Sequence, residues 1–142
     1  MALQGQRLRR LQNSHLRLNH YWIESISLRS ISNRREPNGN PSELSYSVAY
    51  SDPPEGVNGE HLVRLRLKTR RSARSTARYA VDMTLVGVFS FGEDKPDEEV
   101  AGRLLRYNGP AMLYGVARGI VSSLTALGSF GREDLPSANF VA

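Results

Sequence analysis

The clearest regularity along the chain is a two-residue alternation near its centre. Val63, Leu65 and Leu67 take one phase, and Arg64, Arg66 and Lys68 take the other. Successive strand side chains point to opposite faces, so this spacing predicts a β-strand with one dry and one wet face. After a polar, basic turn, Tyr79, Val81, Met83 and Leu85 alternate with Arg78, Ala80, Asp82 and Thr84. The two runs predict a hairpin. The second run continues through Val86, Val88, Phe89 and Phe91, with Gly87 inside it as the expected place of a bulge or bend. Upstream, Leu44, Tyr46, Val48 and Tyr50 alternate with Ser45, Ser47 and Ala49. His15 to Ile31, carrying Trp22, Ile23, Ile26 and Leu28, reads as a further strand. The turn-rich stretches NRREPNGNP (33–41) and SDPPEGVNG (51–59) separate these runs.

The period changes after residue 95. Pro96 and Asp97 followed by Glu98 and Glu99 mark a helix start, where the helix dipole favours negative charge. Leu104 and Leu105 fall on the apolar side of this helix, and Asn108-Gly109-Pro110 is expected to stop it. A longer second helix is predicted from about Pro110 to Leu127. Its apolar stripe is Leu113, Val116, Ala117, Ile120, Val121 and Leu124, and Gly128 is its expected C-cap. The remaining residues read as irregular, with Phe130, Leu135 and Phe140 as separate apolar anchors. At the other end, Leu3, Leu8 and Leu11 share a face, so 1–14 reads as a short helix or a flexible arm. Four strands followed by two helices predict an α+β fold with an antiparallel sheet, in a single domain spanning 1–142.

Composition narrows the function classes. With no cysteine among 142 residues, disulfides, thiolate metal sites and cysteine nucleophiles are excluded. No apolar run approaches the ~20 residues of a membrane helix, and the basic start lacks the apolar core of a secretory signal. The expectation is a cytoplasmic protein without membrane insertion. Net charge is +5, and lysine occurs only at positions 68 and 95, so the basic surface is arginine. Such a surface reads as solvated side chains or as contact with a polyanion.

Catalytic constellations are absent from the pattern. His15, His20 and His61 lack metal-ligand spacing, and Asp94, Asp97, Glu98 and Glu99 read as a helix start. No GxSxG elbow, GxGxxG or GxxxxGK motif occurs. The basic hairpin tip, with Arg70, Arg71, Arg74 and Arg78, lacks interleaved aromatic residues for stacking bases. The chain therefore reads as a non-enzyme, with no metal and no cofactor expected. What stands out is an apolar surplus: Val86, Val88, Phe89 and Phe91 without alternation, the Leu104-Leu105 pair, and Phe130, Leu135, Phe140 and Val141 late in the chain. Either subunits associate, or apolar grooves stay open for ligands.

From Pro110 to Phe140 the chain resembles SecB, the bacterial protein-export chaperone family. Pro110, Leu113, Tyr114, Ala117-Arg118, Ile120, Gly128, Phe130, Leu135 and Asn139-Phe140 stand in the family's order without gaps, and Gly87-Val88-Phe89-Ser90 is similar to its GGIFS strand. The resemblance implies a SecB-like fold with a four-stranded antiparallel sheet followed by two helices. It implies a homotetramer with the first helices packed between sheets. It also implies an ATP-independent holdase that binds unfolded polypeptides, with Leu44, Tyr46, Val48, Leu127, Phe130, Leu135 and Phe140 in its client groove.

The chain departs from the family in charge. SecB proteins offer carboxylates to the SecA motor on the outer sheet face. Here the matching face is read as Arg29, Arg64, Arg66 and Lys68, with Asp82 as the acidic position that persists. SecA docking is accordingly weakened, while the holdase reading stands. The client is then either an export substrate or a dedicated one, such as the antitoxin of a toxin–antitoxin system. The competing reading is a basic nucleic-acid-binding module. Salt separates the two, because phosphate binding falls steeply with ionic strength and apolar capture does not.

Overall fold

A computed structural model describes residues 5, 7–8, 15–31, 43–51, 59–70, 78–93 and 96–140. In chain order these form β1 (Leu16–Ser30), β2 (Glu43–Ser51), β3 (His61–Arg70), β4 (Tyr79–Phe91) and one helix, α1 (Glu98–Thr125). The expected helix at the amino terminus, the two turn-rich loops and most of the basic hairpin tip lie outside the described residues.

The strands form one antiparallel sheet in the order β1-β4-β3-β2. Alternation fixes the two faces. Leu65 pairs with Leu85 and Leu67 with Met83 across β3–β4, while Tyr46 and Val48 on β2 pair with Leu67 and Leu65. This is the inner face, and Val63, Leu65, Leu67, Val81, Met83, Leu85 and Phe89 are buried there beneath α1. Arg64, Arg66 and Lys68 point to the outer face opposite Val86, Thr84 and Asp82.

The bulge expected at Gly87 lies elsewhere. The β1–β4 register shifts between Leu18 and His20 and again between Ile23 and Ser25, so the extra residues are Asn19 and Glu24, on β1. Gly87 serves close approach instead. A Cβ there would stand 2.7 Å from the Phe89 ring and 2.8 Å from Leu113 on α1, so only glycine lets the helix settle onto β4.

The two predicted helices are one. Asn108-Gly109-Pro110 does not end the first helix, and α1 runs 28 residues straight through Pro110. Proline has no N–H and so strips the carbonyl four residues back of its partner. That carbonyl belongs to Arg106, and the Tyr50 hydroxyl of β2 donates to it at 2.8 Å. A tertiary bond thus replaces the missing helical one. Gly109 and Pro110 are both buried, so the segment is held against the sheet. The helix start behaves as expected, with the Asp97 carboxylate accepting from the Val100 N–H at 2.9 Å. The end differs: Ala126 is the C-cap, and Gly128 lies where a Cβ would meet the Tyr79 hydroxyl at 2.6 Å.

The apolar surplus read on the last strand is largely absorbed, because β4 is central in the sheet and not at its edge. Phe89 is fully buried and Val86 is buried on the outer face. The unpartnered apolar surface lies on edge strand β1 instead. Tyr21, Trp22, Ile23 and Ile26 stay 44, 41, 42 and 39 % exposed.

Candidate functional site

The helix packs mainly over β1, β4 and β3 and reaches β2 through the Tyr50 bond, while the segment after the helix meets β2 at Tyr46. Residues 129–140 form no regular structure, yet their backbone is held at successive points. The Tyr79 hydroxyl accepts from the Phe130 N–H at 3.0 Å and donates to the Gly131 carbonyl at 2.7 Å. Arg78 Nη1 donates to the Phe130 carbonyl at 2.9 Å. The Glu133 N–H donates to Thr125 Oγ1 at 2.9 Å, and Arg118 Nε donates to the Leu135 carbonyl at 3.2 Å. The Tyr114 hydroxyl donates to the Pro136 carbonyl. Residues 125, 118 and 114 lie on one helix face at spacings of seven and four. The segment therefore runs back along α1, antiparallel to it, in the trough between α1 and β2.

At the far end of this trough three aromatic rings meet. Phe140 is buried and stands edge-on to Tyr46 at 4.8 Å between ring centres and to Tyr114 at 5.5 Å. This geometry suits aromatic quadrupoles. Tyr46 remains 51 % exposed, so the trough is open to solvent beside the Phe140 ring. Burial pushes the pKa of the Tyr114 hydroxyl above its ordinary value, and does the same for Tyr50. Both phenols stay protonated donors over the physiological range.

Of the seven residues read from sequence as groove residues, the structure brings Tyr46 and Phe140 into ring contact. Leu44 and Val48, on the same side of β2, are partly buried against the core. Leu135 is buried as part of the core cluster. Leu127 and Phe130 stand at the other end, just past the helix, with exposures of 88 and 37 %. The Phe130 ring leans edge-on against Tyr79 at 6.0 Å. Sequence reading left Tyr50, Tyr114 and Arg118 out of the site. The four-residue spacing of Tyr114 and Arg118 placed both on one helix face, but nothing local said which face meets the tail.

The outer face carries Arg29, Arg64, Arg66, Lys68 and Asp82 together, as the alternation predicted. Asp82 is engaged by Arg66 through two bonds, 3.1 Å from Nε and 2.9 Å from Nη2. The bond from Arg66 holds its carboxyl below the usual carboxylate range. Arg64 Nε bonds Glu24, the bulge residue of β1, at 2.7 Å. Two shallow depressions of about 350 and 400 Å³ flank Asp82, one including Ser25, Arg66 and Thr84, the other Arg29, Lys68 and Ala80. Glu24 and Asp82 are both engaged by arginine, and Arg29 and Lys68 have no ion-pair partner among the described residues. The face is therefore electropositive.

No group of three or more His, Cys, Asp or Glu side chains suited to a metal ion occurs among the described residues. No described helix is long and apolar enough to cross a membrane.

Comparison with known proteins places these features in a family. A family model described as SecB, preprotein translocase subunit SecB, matches residues 10–142. No curated protein matches the chain significantly. Among solved structures, the chain is similar to a Mycobacterium tuberculosis SecB-like chaperone in complex with a ChAD peptide from the HigA1 antitoxin. The TM-score is 0.59 at 18 % identity, covering 90 % of this chain and 88 % of that one. It is also similar to a protein of unknown function from Streptococcus agalactiae, with a TM-score of 0.46 at 6 % identity, over 86 % of this chain and 97 % of that one.

Proposed function

Because the chain belongs to the SecB family, we propose that it is an ATP-independent holdase chaperone that captures unfolded polypeptides through apolar side chains. The observation that carries this reading is the trough between β2 and α1. Its open side presents Tyr46, and Leu127 and Phe130 continue the apolar surface past the helix end. Leu44 and Val48, packed against the core, form the apolar floor that supports these contacts. Exposed apolar and aromatic side chains bind extended chains with little sequence preference, and many small contacts add along a long client.

The client is a dedicated one, of the antitoxin class. Support comes from the structural neighbour, whose bound ligand is an antitoxin peptide, and from the outer face. That face is electropositive where export chaperones of the family present carboxylates to SecA. Charge at an interface selects partners more than it sets stability. SecA is therefore expected to bind weakly or not at all; calorimetric titration at low and moderate salt checks this, and micromolar or tighter binding returns the chain to export duty.

The chain works as a homo-oligomer, most simply a tetramer. The exposed apolar row on β1, Tyr21, Ile23 and Ile26 on the inner face with Trp22 on the outer, is the surface that association would cover.

Phe130→Ser tests the client site. Phe130 sits past the last helical turn with more than a third of its surface exposed. Removing it should weaken binding of a fluorescent, permanently unfolded client roughly tenfold, the scale of about 1.4 kcal/mol for one lost contact residue. The thermal transition should persist. Loss of the transition would make Phe130 a fold residue and remove it from the site.

A further inference from the structure

The segment in the trough is bound the way a client would be bound. Its distal part, residues 134–140, belongs to no helix or strand, and the sheet pairings do not involve it. The bonds that hold it, from Arg118 to the Leu135 carbonyl and from Tyr114 to the Pro136 carbonyl, reach the backbone and ignore side-chain identity. Its apolar anchors are two side chains, Leu135 buried in the core cluster and Phe140 inserted beside Tyr46 and Tyr114, while residues 136–139 between them are exposed. The proximal part is anchored differently. Residues 130–133 are tied to Arg78, Tyr79 and Thr125 by four bonds, and Arg78 N also donates to the Glu133 carboxylate at 3.2 Å.

We propose that residues 134–140 are a built-in competitor seated in the client trough, and that Tyr114 and Arg118 are client-binding residues that grip backbone carbonyls. This rests on the holdase reading above. An extended client segment with two apolar side chains spaced like Leu135 and Phe140 displaces the arm, which swings about its anchored root at 130–133. Capture is thereby conditional. A weak or short apolar segment cannot compete with a ligand tethered at high effective concentration, whereas a long unfolded chain with many contacts can. The apparent affinity for any client is reduced by the fraction of molecules whose trough is open.

Two measurements on the full-length chain decide it, with reduced and carboxymethylated α-lactalbumin as the unfolded client and salt sufficient to screen charge. The chain has no native cysteine, so a spin label on Ala138→Cys, an exposed position, reports the arm alone. Its spectrum should pass from restricted to mobile as client saturates. Separately, Phe140→Ala should keep its cooperative thermal transition and bind the client about tenfold more tightly, because the competitor is weakened. A label that stays restricted at client saturation overturns the proposal and leaves the holdase reading standing, as does a Phe140→Ala protein that binds no better or that unfolds. Absence of client binding by wild type and variant alike overturns both.

Discussion

At the scale of single residues, the most consequential contact is one that sequence inspection could not supply. Pro110 has the local signature of a helix stop, and by itself it is one. The helix continues because Tyr50, 56 residues from Arg106 in the chain, donates its hydroxyl proton to the carbonyl that Pro110 leaves bare. Tyr50→Phe keeps the ring and deletes the bond, and should cost about 1 kcal/mol, the usual net value of such a bond. Adding Pro110→Ala restores a helical N–H for the same carbonyl, so the double variant should lose less than the two single losses together. Thermal unfolding of the four proteins, closed as a double-mutant cycle, measures the coupling. Additivity would mean that the Tyr50 bond does not compensate for the proline. Gly87 and Gly128 make the same point in steric form. Each stands where a Cβ would collide, with Phe89 and Leu113 or with Tyr79, and neither Leu113 nor Tyr79 is near its glycine in a way the sequence announces.

At the scale of elements, legibility followed the range of the forces involved. All four strands are where the two-residue alternation puts them, within two residues at each end, because alternation across a half-buried sheet is a local property. The wet face of Arg64, Arg66 and Lys68 and the dry face of Val63, Leu65 and Leu67 were readable for the same reason. The helix count was not, because a tertiary hydrogen bond overrode a local stop. Glycine favours a bulge only by its conformational freedom, and the bulges occur instead at Asn19 and Glu24, where the edge strand departs from strict pairing with β4. Strand order was also out of reach from pattern alone. The surplus on β4 therefore looks exposed in the sequence, although Phe89 is buried beneath α1 and Val86 is covered on the outer face between its neighbours Trp22 and Arg64. Within the candidate site, the ring contact of Tyr46 with Phe140 joins two of the seven residues that the sequence singles out. The occupation of the trough by the tail, and the roles of Tyr114 and Arg118 in holding it, emerged only from the packing of α1 beside β2.

At the scale of the whole molecule, one edge of the sheet is apolar and the outer face is basic. An edge strand with four large side chains about two-fifths exposed is a liability for a monomer in water. Multi-angle light scattering at micromolar concentration should therefore report a multiple of 15.8 kDa, with the tetramer expected. Ile23→Lys on the exposed edge should shift the distribution toward smaller species. A monodisperse 15.8 kDa wild-type protein would remove the premise. The basic outer face is set apart from the trough by the thickness of the sheet. Electrostatic partner choice and apolar client capture therefore respond to different variables. Binding dominated by phosphate contacts loses affinity steeply with log salt concentration, whereas burial of apolar surface does not weaken this way. The most direct measurement follows from that contrast. An aggregation-prone client is diluted from denaturant with equimolar protein and no nucleotide, and light scattering is followed at low and at moderate salt. An ATP-independent holdase suppresses scattering at both salt concentrations; no suppression, or suppression that disappears as salt rises, would overturn that function.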